Sequence, residues 1–152
     1  MIKRASEVGH YGTWRRIPEC GREWSAEQKS AWAIGAFSGA VGTSEVEVKQ
    51  ICVDKTTKKY EKLEIHNNSP QLYAVVSGEV AVPVSSGLNS SSVTFLRVEA
   101  GEAVLVNSKT WHAGAVGVDV PADVIVVLKS GTTEADTVKE PLDSSVEYPP
   151  SV

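Results

Sequence analysis

Short stretches in which apolar and polar residues alternate recur along this 152-residue chain, and turns rich in Gly, Asn and Ser separate them. Alternation with a period of two is typical of strands that are buried on one face. Residues 122–128 are apolar almost throughout, which predicts a strand buried on both faces. Because helical periodicity is nearly absent, these segments predict an all-β sandwich or barrel, in which closure removes exposed strand edges.

The segments on either side of the predicted barrel are less regular. Residues 1–43 carry glycine and proline between aromatic and basic residues, and we expect an irregular N-terminal arm there. Within it, Ser25 and Gln28 have the spacing of a helix cap, which predicts a helical turn at 25–30, and 32–41 is expected to be a strand or a wrapped arm. The barrel is predicted over 44–131, and 132–152 is expected to be an extended C-terminal segment at the surface. All three segments are expected to form a single domain.

The strand predicted at 45–54 has an interrupted pattern. Its alternation shifts phase near Gln50, which predicts a β-bulge. Cys52 on this strand is expected to be a small core residue. Cys20 and Cys52 match no metal or redox spacing, and we interpret both as free thiols.

The charge and hydropathy patterns exclude some classes of partner. The net charge is -4 and no basic stripe is visible, so a nucleic-acid partner is not expected. No apolar run is long enough for a signal peptide or a membrane span, and we expect a cytoplasmic protein with no membrane partner. Small anionic ligands stay open, because the charge inside a cavity can oppose the net charge.

One stretch concentrates the candidate chemistry. Residues 64–78 are predicted to form two short strands joined by a turn at 67–70, and alternation points Glu64 and His66 to one face. If that face looks into a closed barrel, these side chains share a cavity with Gln71 and with His112.

The spacing of these residues resembles the two motifs of the cupins. The pattern Glu64-x-His66-x4-Gln71-x6-Gly78 fits the first motif, and Gly101-x5-Asn107-x-Lys109-x2-His112 fits the second. The resemblance implies a cupin-type double-stranded β-barrel, or jelly roll, which agrees with the strand pattern.

Among cupins the chain most resembles the ureidoglycolate lyases of purine and allantoin degradation. That family also has Glu-x-His followed by Gln, and a triplet like Thr110-Trp111-His112. The resemblance implies a carbon-nitrogen lyase that cleaves ureidoglycolate to glyoxylate and urea. Ala113 departs from the family, which commonly has a second histidine at that position.

The constellation allows two kinds of chemistry. In the first, Glu64, His66, Gln71 and His112 bind a divalent metal such as Zn, Mn, Fe or Ni, with no organic cofactor. In the second, no metal is needed: His66 or Glu64 is the base, His112 is the acid, and Gln71 orients the ureido group.

A carboxylate substrate also requires a cation. Lys62 alternates onto the same face as Glu64 and His66, so it is the first candidate, ahead of Arg97 and Lys109. Tyr73 is expected to pack in the barrel or to line the mouth of the cavity.

Two further functions stay open: another metal-dependent cupin enzyme, either an isomerase or a dioxygenase, and a non-catalytic cupin that binds a sugar or an acid. We also expect a homodimer, because the aromatic residues of the first forty positions give the arm much apolar surface: Trp14, Trp24, Trp32 and Phe37.

Overall fold

The computed structural model describes residues 1–16, 22–26, 29–33 and 45–150, with backbone alone for 22–26 and 29–33. Strands make up most of the described chain. They are β1 (Ile2–Arg4), β2 (Gly12–Arg16), β3 (Arg22–Ala26), β4 (Lys29–Ala33), β5 (Val46–Val53), β6 (Lys58–Ile65), β7 (Gln71–Ser77), β8 (Glu79–Ser85), β9 (Thr94–Glu99), β10 (Glu102–Val106), β11 (Trp111–His112), β12 (Val116–Gly117), β13 (Ala122–Lys129) and β14 (Val138–Tyr148). One short helix, α1 (Thr132–Ala135), lies between β13 and β14.

The strands form two large sheets and a separate hairpin. The first sheet has the order β1-β9-β8-β11-β6-β14, with β12 paired to β8, and the second has the order β2-β10-β7-β13-β5. The hairpin consists of β3 and β4. The parallel pairing of β1 with β9 is an exception among these pairs, which are otherwise antiparallel. Consecutive strands that change sheet are typical of a jelly roll, so the predicted all-β fold is confirmed.

Two tight turns carry the chain from one sheet to the other. The chain leaves β6 in the first sheet and enters β7 in the second, and it returns to the first sheet in β8. Gly78 makes the second turn with φ +74, and a Cβ there would lie 2.7 Å from the Pro121 carbonyl oxygen. Glycine is therefore required by the backbone angle and by the close approach of another segment. As a result, residues of β6 and β7 face each other across the interior.

The interior between the sheets is filled by alternate residues of their strands. Val80, Val82 and Val84 of β8 are completely buried, and so are Val104 and Val106 of β10. Across the neighbouring strands, Val84 is the register partner of His112, and His112 is in turn the register partner of Glu64. Since register partners point to the same face of a sheet, this row extends the core into the candidate site.

The N-terminal region contains more regular structure than expected. β1 adds to the first sheet and β2 to the second, so residues 2–4 and 12–16 belong to the barrel sheets. The helical turn predicted at 25–30 is wrong where the structure describes it, because 22–26 and 29–33 pair as antiparallel strands. Cys20 and residues 34–41 of the predicted strand or arm lie outside the described residues.

The predicted bulge at Gln50 is also wrong. β5 pairs with β13 in one unbroken register from Val46 to Val53, and its residues alternate between exposed and half-buried throughout. The apparent phase shift arises because Val46 and Val48 face solvent. Cys52 lies on the same outer face, so it is exposed rather than a core residue.

The C-terminal segment is part of the barrel. β14 forms the outer strand of the first sheet and pairs with β6 along most of its length. The prediction of an extended chain holds for the backbone, but the segment contributes to the sheet rather than merely lying on it. No helix in the described part of the chain is long and apolar enough to span a membrane.

Candidate metal and substrate site

The four residues predicted to form the site lie together. Glu64 is near the end of β6, His66 follows that strand, Gln71 begins β7 and His112 lies on β11. One ligand atom from each of Glu64, His66 and His112 lies within 4.8 Å of the other two. Gln71 Oε1 is 2.9 Å from His66 Nε2 and 3.2 Å from His112 Nε2. The two sheets therefore bring these side chains to one point.

Main-chain oxygens fix the tautomer of both imidazole rings. His66 Nδ1 donates to the Asp136 carbonyl oxygen at 2.9 Å, and His112 Nδ1 donates to the Thr110 carbonyl oxygen at 2.9 Å. Because a carbonyl can only accept, each Nδ1 carries the proton, and in the neutral ring each Nε2 presents a lone pair. Both Nε2 atoms face Gln71 Oε1.

His112 is held in its neutral form. The residue is 1% exposed, and burial lowers the pKa of His112, although the Thr110 carbonyl and the Glu64 carboxylate act in the opposite direction. The Glu64 Oε1 atom lies 3.6 Å from His112 Nε2. A neutral imidazole is suited to be a base or a metal ligand, which argues against the role of acid predicted for His112.

This donor set fits a divalent cation. Two imidazole nitrogens, an amide oxygen and a carboxylate converge, and divalent first-row metals bind donor sets of this kind. Carbonyl acceptors behind both rings are the usual outer partners of metal-binding histidines.

Tyr73 supports the amide instead of lining the cavity. Its side chain is 2% exposed, and its hydroxyl accepts a hydrogen bond of 3.0 Å from Gln71 Nε2. In this arrangement Gln71 Oε1 faces the histidines. Burial raises the pKa of Tyr73 far above its ordinary value, so the hydroxyl keeps its proton.

A cavity of about 150 Å³, here called the histidine cavity, is lined by His66 but not by His112. Both sheets and α1 contribute to its wall, which consists of Lys49, Glu64, His66, Gln71, Leu128, Thr133, Thr137 and Lys139. The cations of this cavity are thus Lys49 and Lys139. Sequence reasoning missed both lysines: Lys49 lay in the strand with the interrupted pattern, and Lys139 lay in the segment assigned to the surface.

The cations favoured by the sequence lie elsewhere. Lys62 is exposed and borders a neighbouring cavity of about 300 Å³, which shares Glu64 and Lys139 with the first. Arg97 forms two hydrogen bonds with Glu79, at 2.6 and 2.9 Å, away from the histidines. The main-chain N–H of Lys109 donates to the His66 carbonyl oxygen, but its side chain does not line the cavity.

Asp136 is a further contributor that the sequence did not reveal. Its carboxylate accepts the backbone N–H groups of Asn67 at 3.1 Å and Asn68 at 2.8 Å, and its carbonyl oxygen holds His66. Burial raises the pKa of Asp136, but these N–H donors outweigh that effect and lower it. No local pattern could identify this residue, because it lies about 70 positions from the turn it holds.

Comparisons with known proteins bear on the fold. No family model and no curated protein sequence matches the chain. Among solved structures, a 3,4-ketoisomerase from Helicobacter canadensis is 10% identical, with a TM-score of 0.58 over 82% of this chain and 89% of that one. A TDP-quinovose 3,4-ketoisomerase from Campylobacter jejuni is 12% identical, with a TM-score of 0.59 over 84% and 92%. A dTDP sugar isomerase from Desulfovibrio desulfuricans is 16% identical, with a TM-score of 0.57 over 89% and 87%.

None of these three structures is a ureidoglycolate lyase, so the finer resemblance stays a prediction. Identities this low carry no information about substrate, but the match extends over most of each chain. The protein therefore has the cupin-type double-stranded β-barrel fold.

Proposed function

We propose that the protein is a cupin-fold enzyme that binds a divalent metal through Glu64, His66, Gln71 and His112 and transfers a proton on a small hydroxy compound. The observation that carries this proposal is the convergence of two Nε2 lone pairs with the Gln71 and Glu64 oxygens beside an open cavity. Two histidines and a carboxylate suit Zn, Mn, Fe or Ni. When bound, such an ion polarises a substrate oxygen as a Lewis acid.

Glu64 would bind the metal through one carboxylate oxygen, and we assign proton transfer to its other oxygen. Its side chain is 24% exposed and borders the cavity, whereas His112 is almost inaccessible. A carboxylate that takes a proton from one substrate atom and returns it to another serves as both base and acid. This removes the need for a separate acid, which neutral His112 does not provide.

The first candidate reaction is isomerisation of a hydroxy ketone. We place it first because two neighbours in fold are named 3,4-ketoisomerases and a third is named a dTDP sugar isomerase, although the likeness itself is one of fold. Glu64 would remove the proton from the carbon that bears the hydroxyl group and deliver a proton to the former carbonyl carbon. The hydroxyl oxygen loses its proton to solvent and the former carbonyl oxygen takes one from solvent, so no atoms are gained or lost overall.

The second candidate is cleavage of ureidoglycolate, which the motif residues and the cavity size favour. A protein cavity of about 150 Å³ holds a molecule the size of benzene, and ureidoglycolate has about nine heavy atoms. Glu64 would take the hydroxyl proton as the C–N bond breaks, and would pass it to the departing nitrogen. The products are glyoxylate and urea.

An assay with both substrates tests the proposal. Metal-loaded protein is incubated with racemic ureidoglycolate and, separately, with TDP-4-keto-6-deoxyglucose, and products are followed by NMR. We expect turnover of one substrate and a loss of about 10²-fold or more in Glu64→Gln, as is typical for a general base. The control is Glu61→Gln, because Glu61 is an exposed residue of β6 outside the histidine cavity.

A wild-type rate in Glu64→Gln would contradict the assigned role. Binding of either compound without turnover by the wild type would contradict the enzyme proposal and favour the non-catalytic sugar- or acid-binding alternative.

A further inference from the structure

Two lysines lie on the edge strands of the two sheets, in the rows of register partners that lead to the site. Lys49 on β5 is the register partner of Val126, which is 3% exposed, and Val126 is in turn the partner of Tyr73. On the other sheet, Lys139 on β14 is the partner of Glu64, which pairs with His112. Because register partners share a face, both lysines lie on the faces that carry the site.

Lys49 is held in a defined position. Its Nζ donates to Thr133 Oγ1 at 2.7 Å and lies 3.5 Å from Glu47 Oε2. Glu47 is itself anchored, since its Oε1 accepts the Gly131 N–H at 2.6 Å. The ammonium group of Lys49 has three donors, and these two contacts leave one donor for a ligand. The side chain is 42% exposed, so a ligand can reach it.

Lys139 has no such anchor. It is exposed at the cavity, and its ammonium group has no hydrogen bond or ion pair within the part of the chain that the structure describes. A cation without a partner at the mouth of a cavity is available to an anionic ligand.

The cavity wall carries two cations and one carboxylate, which are Lys49, Lys139 and Glu64. Glu47 lies 3.5 Å from Lys49 and balances that charge, so Lys139 and a bound metal are the positive charges left for an anion. The position of Lys49 also explains the interrupted pattern of β5. Lys49 faces inward beside a core valine, while the neighbouring Val48 is 64% exposed. Departures of this kind from simple patterning are characteristic of functional positions.

From these contacts we infer that Lys49 and Lys139 bind the carboxylate of a small organic acid at the mouth of the histidine cavity, so that the enzyme selects hydroxy- or keto-carboxylates. The inference rests on the proposed function for the chemistry at the inner end of the cavity, where the hydroxyl or carbonyl group of the acid would lie. In this inference Lys49 and Lys139, rather than Lys62, are the cations that bind the substrate.

Binding of lactate and of its uncharged isostere lactamide tests this selection. The two probes differ at the carboxylate, and their dissociation constants can be measured by NMR titration of the metal-loaded protein. We expect lactate to bind about tenfold more tightly than lactamide. Lys49→Met and Lys139→Met should each weaken lactate binding about three- to fivefold, the range for ion pairs that are partly exposed, and should leave lactamide binding unchanged.

Lys62→Met is the matched control, because Lys62 is exposed and lies outside the histidine cavity. It should bind lactate as the wild type does. Salt gives a second readout that does not depend on folding of a variant: higher ionic strength should weaken the binding of lactate but not of lactamide.

Equal affinity of the wild type for lactate and lactamide would overturn the inference, and so would wild-type lactate affinity in the Lys49→Met/Lys139→Met double variant. These outcomes are separable from failure of the proposed function. If the protein holds no metal but lactate binding depends on the lysines, the carboxylate site stands and the metal enzyme does not. If metal and turnover are present but the lysine variants bind lactate as the wild type does, the metal enzyme stands and the carboxylate site does not.

Discussion

At the scale of single residues, the site depends on how two imidazole rings are held. A carbonyl oxygen two residues away holds His112, whereas His66 depends on the carbonyl oxygen of Asp136. The sequence predicted which side chains meet, because the spacing from Glu64 to Gln71 and the position of His112 are local patterns. It could not predict Asp136, because that contact forms only when β14 returns to β6.

Removal of the Asp136 carboxylate should loosen the site without touching a proposed ligand. Asp136→Ala leaves two N–H groups of the 67–68 turn without their acceptor and frees the segment that carries the carbonyl oxygen bound to His66. We expect metal affinity to fall about tenfold, the lower end for outer-shell partners of metal ligands. Isothermal titration calorimetry measures it.

Asp143→Ala is the control for that substitution. Asp143 also accepts two backbone N–H groups, from Ser90 and Ser144, but it lies away from the histidines. Its metal affinity should equal that of the wild type. Equal affinities in the Asp136 and Asp143 variants would show that Asp136 does not position His66.

At the scale of strands, local alternation located the barrel strands but not the sheets to which they belong. The turns after β6 and β7 resemble hairpin turns in sequence, yet each carries the chain across the interior. The pattern of β5 suggested a bulge because two outward valines precede two inward apolar residues, Ile51 and Val53. Local sequence does not settle either point, because the sheet that a strand joins and the face that it buries are decided by distant partners.

The close approach of β2 to β10 gives a prediction at this scale. A Cβ at Gly12 would lie 1.8 Å from the Leu105 carbonyl oxygen, which is backbone and cannot move aside as a flexible side chain could. Gly12→Ala should therefore lower the free energy of unfolding by about 1–3 kcal/mol, the usual cost of overpacking. Urea denaturation measures it.

Gly87→Ala is the matched variant, because a Cβ at Gly87 meets nothing within 4 Å. It should stay within about 0.5 kcal/mol of the wild type, as surface substitutions do. Equal unfolding free energies for the two variants would mean that β2 does not pack against β10 as described.

At the scale of the whole molecule, the proposed ligands connect the two sheets. On the side of the first sheet, Glu64 lies on β6, His66 directly follows that strand, and His112 lies on β11. On the side of the second sheet, Gln71 lies on β7. A metal bound by all four residues would link the sheets and stabilise the folded chain by mass action. The homodimer expected from the aromatic arm stays a prediction, since two of the four aromatic residues that suggested it, Trp24 and Trp32, are described by backbone alone.

Binding of a metal at this junction is the central claim, and one experiment tests it most directly. Metal-free wild type, His112→Ala and the exposed-residue control His10→Ala are dialysed separately against Zn²⁺, Mn²⁺, Fe²⁺ and Ni²⁺, and each is analysed for bound metal and for its melting temperature. We predict roughly one ion per chain in the wild type and in His10→Ala for at least one of these metals, and none in His112→Ala. At about 100 times the dissociation constant, binding stabilises by about 2.7 kcal/mol, which should raise the melting temperature by about 5–10 °C. Absence of bound metal in the wild type for all four ions, or equal metal content in His112→Ala, would contradict the account.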